Sequence, residues 1–178
     1  NATSATYTSI KDFASNLATD ITNNGASSKI KGKVAVFDET NAAKLPTVAN
    51  LSTVSGQASS LSYSKVFDKI DAIKTEVAKG ASSLVKSKAV TLDETNAAKL
   101  LSLGDHSTVT SGAGAVTSIT YTKLKDASST LKTHIDDGGA LADGKVIVLT
   151  DNPNVSEIKT IVSAAKATSI ANVSGFTA

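Results

Sequence analysis

No cysteine, methionine or tryptophan occurs in the chain, and all 18 of its cations are lysines because arginine is missing as well. Without thiols there are no disulfides and no thiolate metal ligands. Without arginine the chain lacks the planar fork that grips phosphates and guanine edges. A net charge of +2 raises no basic field, so nucleic acid is excluded as a partner. Aromatic residues make up only 4% of the chain, which favours thin, repeated packing layers of Ala, Val, Ser and Thr over one deep globular centre. No apolar run approaches the roughly 20 residues that cross a bilayer, and no signal peptide is visible. A start at Asn1 rather than Met reads as a processed or excised chain.

Against that sparse background one nine-residue stretch stands twice: Phe37-Asp38-Glu39-Thr40-Asn41-Ala42-Ala43-Lys44-Leu45 and Leu92-Asp93-Glu94-Thr95-Asn96-Ala97-Ala98-Lys99-Leu100. The copies are identical after the first residue and lie 55 residues apart. A second marker, tyrosine between hydroxyl residues, recurs at Thr6-Tyr7-Thr8, Ser62-Tyr63-Ser64 and Thr120-Tyr121-Thr122, with spacings of 56 and 58. Together they divide the chain into three repeats, 5–60, 61–118 and 119–178, within a single repeat domain spanning 1–178.

Each repeat reads as two strand-plus-helix halves of about 28 residues. Strands are predicted at 5–10, 33–37, 61–66, 88–92, 119–124 and 145–149, with a seventh at 168–173. Runs apolar on both alternating faces, such as Lys33-Val34-Ala35-Val36-Phe37, predict strands covered on both sides. Helices follow from apolar series at Phe13, Leu17 and Ile21, at Ile70, Ile73 and Val77, at Leu131 and Ile135, and at Val155, Ile158 and Ile161. The duplicated stretch predicts two more, the first with Ala42, Leu45, Val48 and Leu51 inward. Pro46 should shorten or kink that one, while Leu101 leaves its counterpart regular. Asp12, Asp38, Asp68, Asp93, Asp126 and Asp151 each close a strand and open a helix, and their carboxylates suit the free N–H groups of a first turn. They are predicted to be structural helix caps. The expected fold class is α/β, with parallel strands and right-handed crossovers. A repetitive α/β solenoid, near leucine-rich repeats in period, is ahead of a compact parallel sheet with helices on both faces.

Candidate chemistry is thin. Calcium takes six to eight oxygens at one site, and each aspartate turn offers one or two. The densest clusters, Asp136-Asp137-Gly138-Gly139 with Asp143 and Asp151-Asn152-Pro153-Asn154, lack the EF-hand spacing and read as solvated turns. His106 lies in a loop, and His134 suits the negative end of a helix. No nucleophile elbow accompanies either, so the chain is not expected to be an enzyme. The run Ser111-Gly112-Ala113-Gly114-Ala115 precedes a strand rather than a helix, the wrong order for a phosphate cradle, and reads as a flexible connector. Tyr7, Tyr63 and Tyr121 should stack in register as a possible carbohydrate or subunit surface.

The phrases Ala5-Thr6-Tyr7-Thr8-Ser9-Ile10-Lys11-Asp12-Phe13-Ala14-Ser15-Asn16-Leu17-Ala18, Lys31-Gly32-Lys33-Val34-Ala35-Val36-Phe37-Asp38 and Asn41-Ala42-Ala43-Lys44-Leu45 resemble the tandem repeats of very long secreted bacterial surface proteins, those of marine cyanobacteria above all. The resemblance covers nearly the whole chain. It implies a cell-surface layer, adhesin or extracellular matrix, sometimes with calcium, although the glycine- and aspartate-rich nonapeptides of calcium β-rolls are missing. The expectation is a non-enzymatic, secreted structural protein that assembles with copies of itself as filament, layer or matrix through its terminal strands. It carries no cofactor, calcium being the one ion left open. A glycan- or surface-binding adhesin module is the alternative.

Overall fold

The computed structural model describes residues 6–96, 99–163 and 167–171. Nine short strands and six helices alternate along them. The strands are β1 (Ser9–Asp12), β2 (Val34–Phe37), β3 (Ser60–Ser62), β4 (Lys65–Asp68), β5 (Ala89–Leu92), β6 (Ser118–Thr120), β7 (Lys123–Asp126), β8 (Val146–Leu149) and β9 (Ser169–Ala171). The helices are α1 (Ala14–Asn24), α2 (Val48–Ser55), α3 (Ile70–Val77), α4 (Leu103–Thr110), α5 (Ser128–Asp136) and α6 (Val155–Ser163). Every strand pair is parallel, in three three-stranded sheets of order β1-β2-β3, β4-β5-β6 and β7-β8-β9. The class is α/β, as its βαβ rhythm demands.

The tyrosine markers explain why there are nine strands and not seven. Residues 60–68 form one β-rich run, but its first half pairs with β2 and its second half with β5, and Tyr63-Ser64 mark the change of partner. Residues 118–126 divide at Tyr121-Thr122 in the same way. The chain thus steps from one sheet to the next without a turn. The predicted seventh strand is β9, described over Ser169–Ala171, and residues 172 and 173 lie outside the described part.

The middle strands differ in cover. In β2, Ala35 and Phe37 are buried while Val34 and Val36 are half-exposed, and β5 alternates identically with Val90 and Leu92 inward. In β8, Ile147, Val148 and Leu149 are all buried, so both faces are covered there. The expectation of cover on both faces is corrected for β2 and β5, because β-branched residues fill a strand for backbone reasons as well as burial. Helices pack against their sequence neighbours, α1 on α2, α2 on α3, α3 on α4 and α5 on α6. The inward rows of all three sheets and the helices' apolar stripes join in one hydrophobic cluster that includes Leu17, Leu51, Ile73, Leu101, Leu124, Leu131 and Ile161.

Among the described residues, neither copy of the duplicated stretch begins an α-helix. Asp38 and Asp93 instead close small turns on Thr40 and Thr95, and Asn41 caps a single tight turn at Ala42–Lys44, in which Ala42 is exposed. Helix α2 starts only at Val48, beyond Pro46, whose fixed φ and missing N–H end the preceding path instead of kinking a helix. Leu101, in the place of Pro46, is no more helical: it bridges to Leu124 of β7. Residues 97 and 98 lie outside the described part.

One backbone position separates the repeats. Gly32 and Gly144 sit at φ 68° and 67° just before the lysine that precedes β2 and β8, whereas Ser87 holds φ 57° at the same place before β5. The N–H groups of Gly32 and Ser87 make the same bond, to Gln57 O and Ala115 O. A Cβ is costly in this region. Ser87→Gly is therefore expected to stabilise the chain by about 0.5–1 kcal/mol, read as a higher urea midpoint at unchanged slope. An unchanged or lower midpoint would count against the reading.

Candidate functional site

Two carboxylates from the duplicated stretch hold the joints between repeats. Glu39 reaches across to the point where β3 gives way to β4. There its Oε1 accepts the N–H groups of Ser64 and Lys65 at 2.7 Å each, and Oε2 accepts the Ser64 hydroxyl at 2.5 Å. Glu94 repeats the grip on Thr122 N–H, Lys123 N–H (2.8 Å) and the Thr122 hydroxyl (2.5 Å). Each carboxylate stands in for the missing strand neighbour at the break in the ladder, satisfying donors that a sheet edge leaves open. Beyond it, the carbonyls of Pro46 and Leu101 accept the N–H groups of Phe67 and Lys125 at 3.0 and 2.8 Å. Residues 38–47 and 93–102 are therefore arms that clasp the following repeat. Sequence reasoning passed over Glu39 and Glu94, although exact repetition of a polar stretch was itself the signal.

The aspartates do cap helices, but not those they precede. Asp68 Oδ2 accepts the first N–H of α2, from Val48, at 2.9 Å, and Asp126 Oδ2 accepts that of α4, from Leu103, at 3.0 Å. Asp151 Oδ1 accepts the first N–H of α5, from Ser128, at 2.8 Å. In each case the parallel chain path brings the carboxylate beside a helix some 20 residues earlier, where it meets the positive end of the dipole. The predicted assignment to the following helices is thus corrected. Asp12 accepts from Phe13 N–H and the Asn16 amide at 2.7 Å, and neither Asp38 nor Asp93 caps a helix. Helices α2 and α4 have their own capping boxes, Thr47 with Asn50 and Ser102 with Asp105.

The tyrosines form no open ladder. Tyr121 is buried and Tyr63 half-buried, each with its hydroxyl donated to a backbone carbonyl, Leu141 O (2.7 Å) and Leu84 O, while Tyr7 bonds Lys29 O at 3.2 Å. A lysine lies over each ring: Lys33 Nζ is 5.3 Å from Tyr7, Lys88 4.5 Å from Tyr63 and Lys145 4.4 Å from Tyr121. Lys88 and Lys145 also donate to the carbonyls of those tyrosines. Burial, with the charge of Glu76 nearby, pushes the Tyr63 phenol up to about 12. These rings pin strands to the turns below and leave little face for a sugar.

A second acceptor recurs without sequence identity. Asp20, Glu76 and His134 occupy equivalent helix positions and accept the backbone N–H of Lys29, Leu84 and Leu141. Glu76 is almost fully buried and also holds Lys79 at 2.5 Å. His134 thus takes the same acceptor place through Nε2 late in α5. A groove of about 470 Å³ runs between α2 and α3, lined by Val48, Ser52, Asp68, Asp71, Thr75 and Glu76. Its acids are engaged: Asp68 by Val48, Asp71 by Lys99 at 2.5 Å, and Glu76 as above. Among the described residues no three acidic or imidazole groups converge as metal ligands.

The same bonds give stability a pH dependence. Side-chain hydrogen bonds from Ser28, Thr40 and Thr95 hold Asp20, Asp38 and Asp93 below their ordinary 3.8. At Asp105 burial pushes upward, but Lys74, 2.5 Å away, and Ser102 outweigh it and the net shift is down. Burial, then the charge of His134, lowers His106 from 6.5. In the interval just below 6.5 the unfolded chain binds a proton at His106 that the folded chain does not, so stability falls as pH drops through it. Below 3.8 the lowered carboxylates add a second loss as pH falls through their folded values. Urea midpoints measured from pH 8 to 3 should be level down to about 7 and then fall in two stages. The first stage should vanish in His106→Gln. A midpoint that does not move between pH 7 and 5 would refute the assignment.

The geometry therefore supplies joints, caps and pins between strands and helices. No family model, curated protein or solved structure matches the chain.

Proposed function

We propose that this chain is a non-enzymatic structural protein of the cell surface or extracellular matrix. In this reading its repeats continue one another as an α/β solenoid and its two ends join further repeat units, copies of itself among them. The observation that carries the proposal is the fate of the polar residues: Glu39, Glu94, Asp68, Asp126 and Asp151 are all spent on holding one helix or strand to another. A protein whose acids and aromatics are committed to its own joints works through shape and contact. Sequential parallel strand order and helices packed on their sequence neighbours support stacking in one direction. β1 and β9 each have one strand neighbour among the described residues, leaving edges that invite pairing.

Sedimentation velocity over a wide concentration range, with electron microscopy of the same samples, tests the proposal. Concentration-dependent, end-to-end particles are expected, with or without calcium. A monodisperse monomer at the highest concentrations, or turnover of a substrate at a defined residue, would overturn it.

A further inference from the structure

We propose that residues 7–12 and helix α1 form a socket for the Asp-Glu-Thr arm and following helix of another repeat unit. The inference rests on the reading of the chain as a member of a larger repeat assembly, and it names the joint and the chemistry of the partner.

The argument is that this face has two counterparts within the chain, and both are filled. At residues 63–68, Glu39 takes the N–H groups of Ser64 and Lys65, the Pro46 carbonyl takes that of Phe67, and Asp68 Oδ2 takes the first N–H of α2. At residues 121–126, Glu94, Leu101 and the first N–H of α4 do the same for Thr122, Lys123, Lys125 and Asp126. Helix α2 also packs on β4, and α4 on β7.

The matching groups of the first repeat are the N–H groups of Thr8, Ser9 and Lys11 and the Oδ2 of Asp12. Val34 N–H bonds Thr8 O and Asp38 N–H bonds Asp12 O, so the parallel register turns the N–H groups of Ser9 and Lys11 toward the open edge of β1. Among the described residues no partner meets them there. Packing records the same gap. Val66 and Leu124 are fully buried at their positions, but the equivalent Ile10 is half-exposed. Tyr7 is 36% exposed where Tyr121 is 8%. A cavity of about 170 Å³ lined by Ile10, Asp12, Leu17, Asp20 and Ile30 opens at this face.

The occupant must bring a carboxylate for the paired N–H groups, a carbonyl for Lys11 and a helix N-terminus for Asp12. Among the described residues there is no spare arm of that kind. Glu39 and Glu94 are engaged, and the third repeat has lost its arm: only residues 150–154 join β8 to α6, and Thr150-Asp151 stands where the other repeats have Asp-Glu. Asp151 turns back to Ser128. The joint is therefore directional, and it takes a repeat of the first or second type.

The whole chain from Tyr7 onward, preceded in tandem by a second copy of residues 7–62, tests this, because the Glu39 of the leading copy then faces the Thr8 and Ser9 of the following one. One cooperative thermal transition is expected, with Tm raised by about 4 °C or more and with the Ser9 and Lys11 amides of the following copy newly protected from exchange. Glu39→Gln in the leading copy, and separately Asp12→Asn in the following copy, should each remove much of the gain. Two separate transitions with the later one unmoved would overturn the proposal, as would a gain that survives both substitutions. Sedimentation of the unextended chain decides the assembly reading independently: a monomer there counts against self-assembly and leaves the socket standing, since the third repeat has no arm to fill it.

Discussion

Glu94→Ala is expected to release the third repeat from the second. Three donors lose a charged acceptor, two of them the backbone N–H groups of Thr122 and Lys123 where β7 begins. Hydrogen bonds to charged groups contribute about 1.5–3 kcal/mol each. Partial exposure of Glu94 lets water recover part of that, so the loss is set at about 3 kcal/mol. In a chain of this size the corresponding fall in Tm is roughly 6–12 °C. The effect should also be local. Amides of β7 and β8 should exchange faster, and those of β1 and β2 should keep their protection, because neighbour coupling in a repeat array is lost only at the joint that is cut. Glu94→Gln, which keeps an acceptor oxygen but not the charge, should fall between. A uniform loss of protection, or a Tm within about 1 °C of the parent, would show that the arm is ornament and not clasp.

Gly114→Ala should cost as much for a different reason. Gly114 is buried in the turn between α4 and β6, and a Cβ there would lie 2.2 Å from the Val77 carbonyl oxygen and 3.0 Å from that of Gly80. Both obstacles are backbone, at the end of α3, so no side chain can swing aside. The run around Gly114, expected to be a flexible connector, is here a contact point where two main chains touch. Overpacking of this kind costs about 1–3 kcal/mol and sometimes more. Gly112, two residues away, provides the control: its φ of 84° asks for glycine, yet a Cβ would meet nothing within 4 Å. Gly112→Ala should therefore cost only the conformational penalty, about 1 kcal/mol. Equal losses in the two variants would sink the close-approach argument.

Much of the secondary structure was legible because local pattern suffices for it. Apolar spacing placed α1, α3, α5 and α6, and alternating β-branched runs placed β2, β5 and β8. The two copies of Asp-Glu-Thr-Asn announced repetition before any coordinate existed. Reading a helix into them failed for a physical reason. Asp38 hydrogen-bonds Thr40 within a turn, and that local bond competes with helix initiation. The helix starts only where Thr47 and Asn50 can form a reciprocal cap.

The chain's own residues determined its period, its α/β alternation and the absence of thiol and arginine chemistry, because composition and short-range spacing are properties of a linear string. Only the folded form decided which helix Asp68, Asp126 and Asp151 cap, that Glu39 and Glu94 replace a strand, and that Tyr63 and Tyr121 turn inward. Those facts depend on groups 20 to 30 positions apart becoming neighbours. The register of one parallel strand on the next sets such meetings, and no local window contains it.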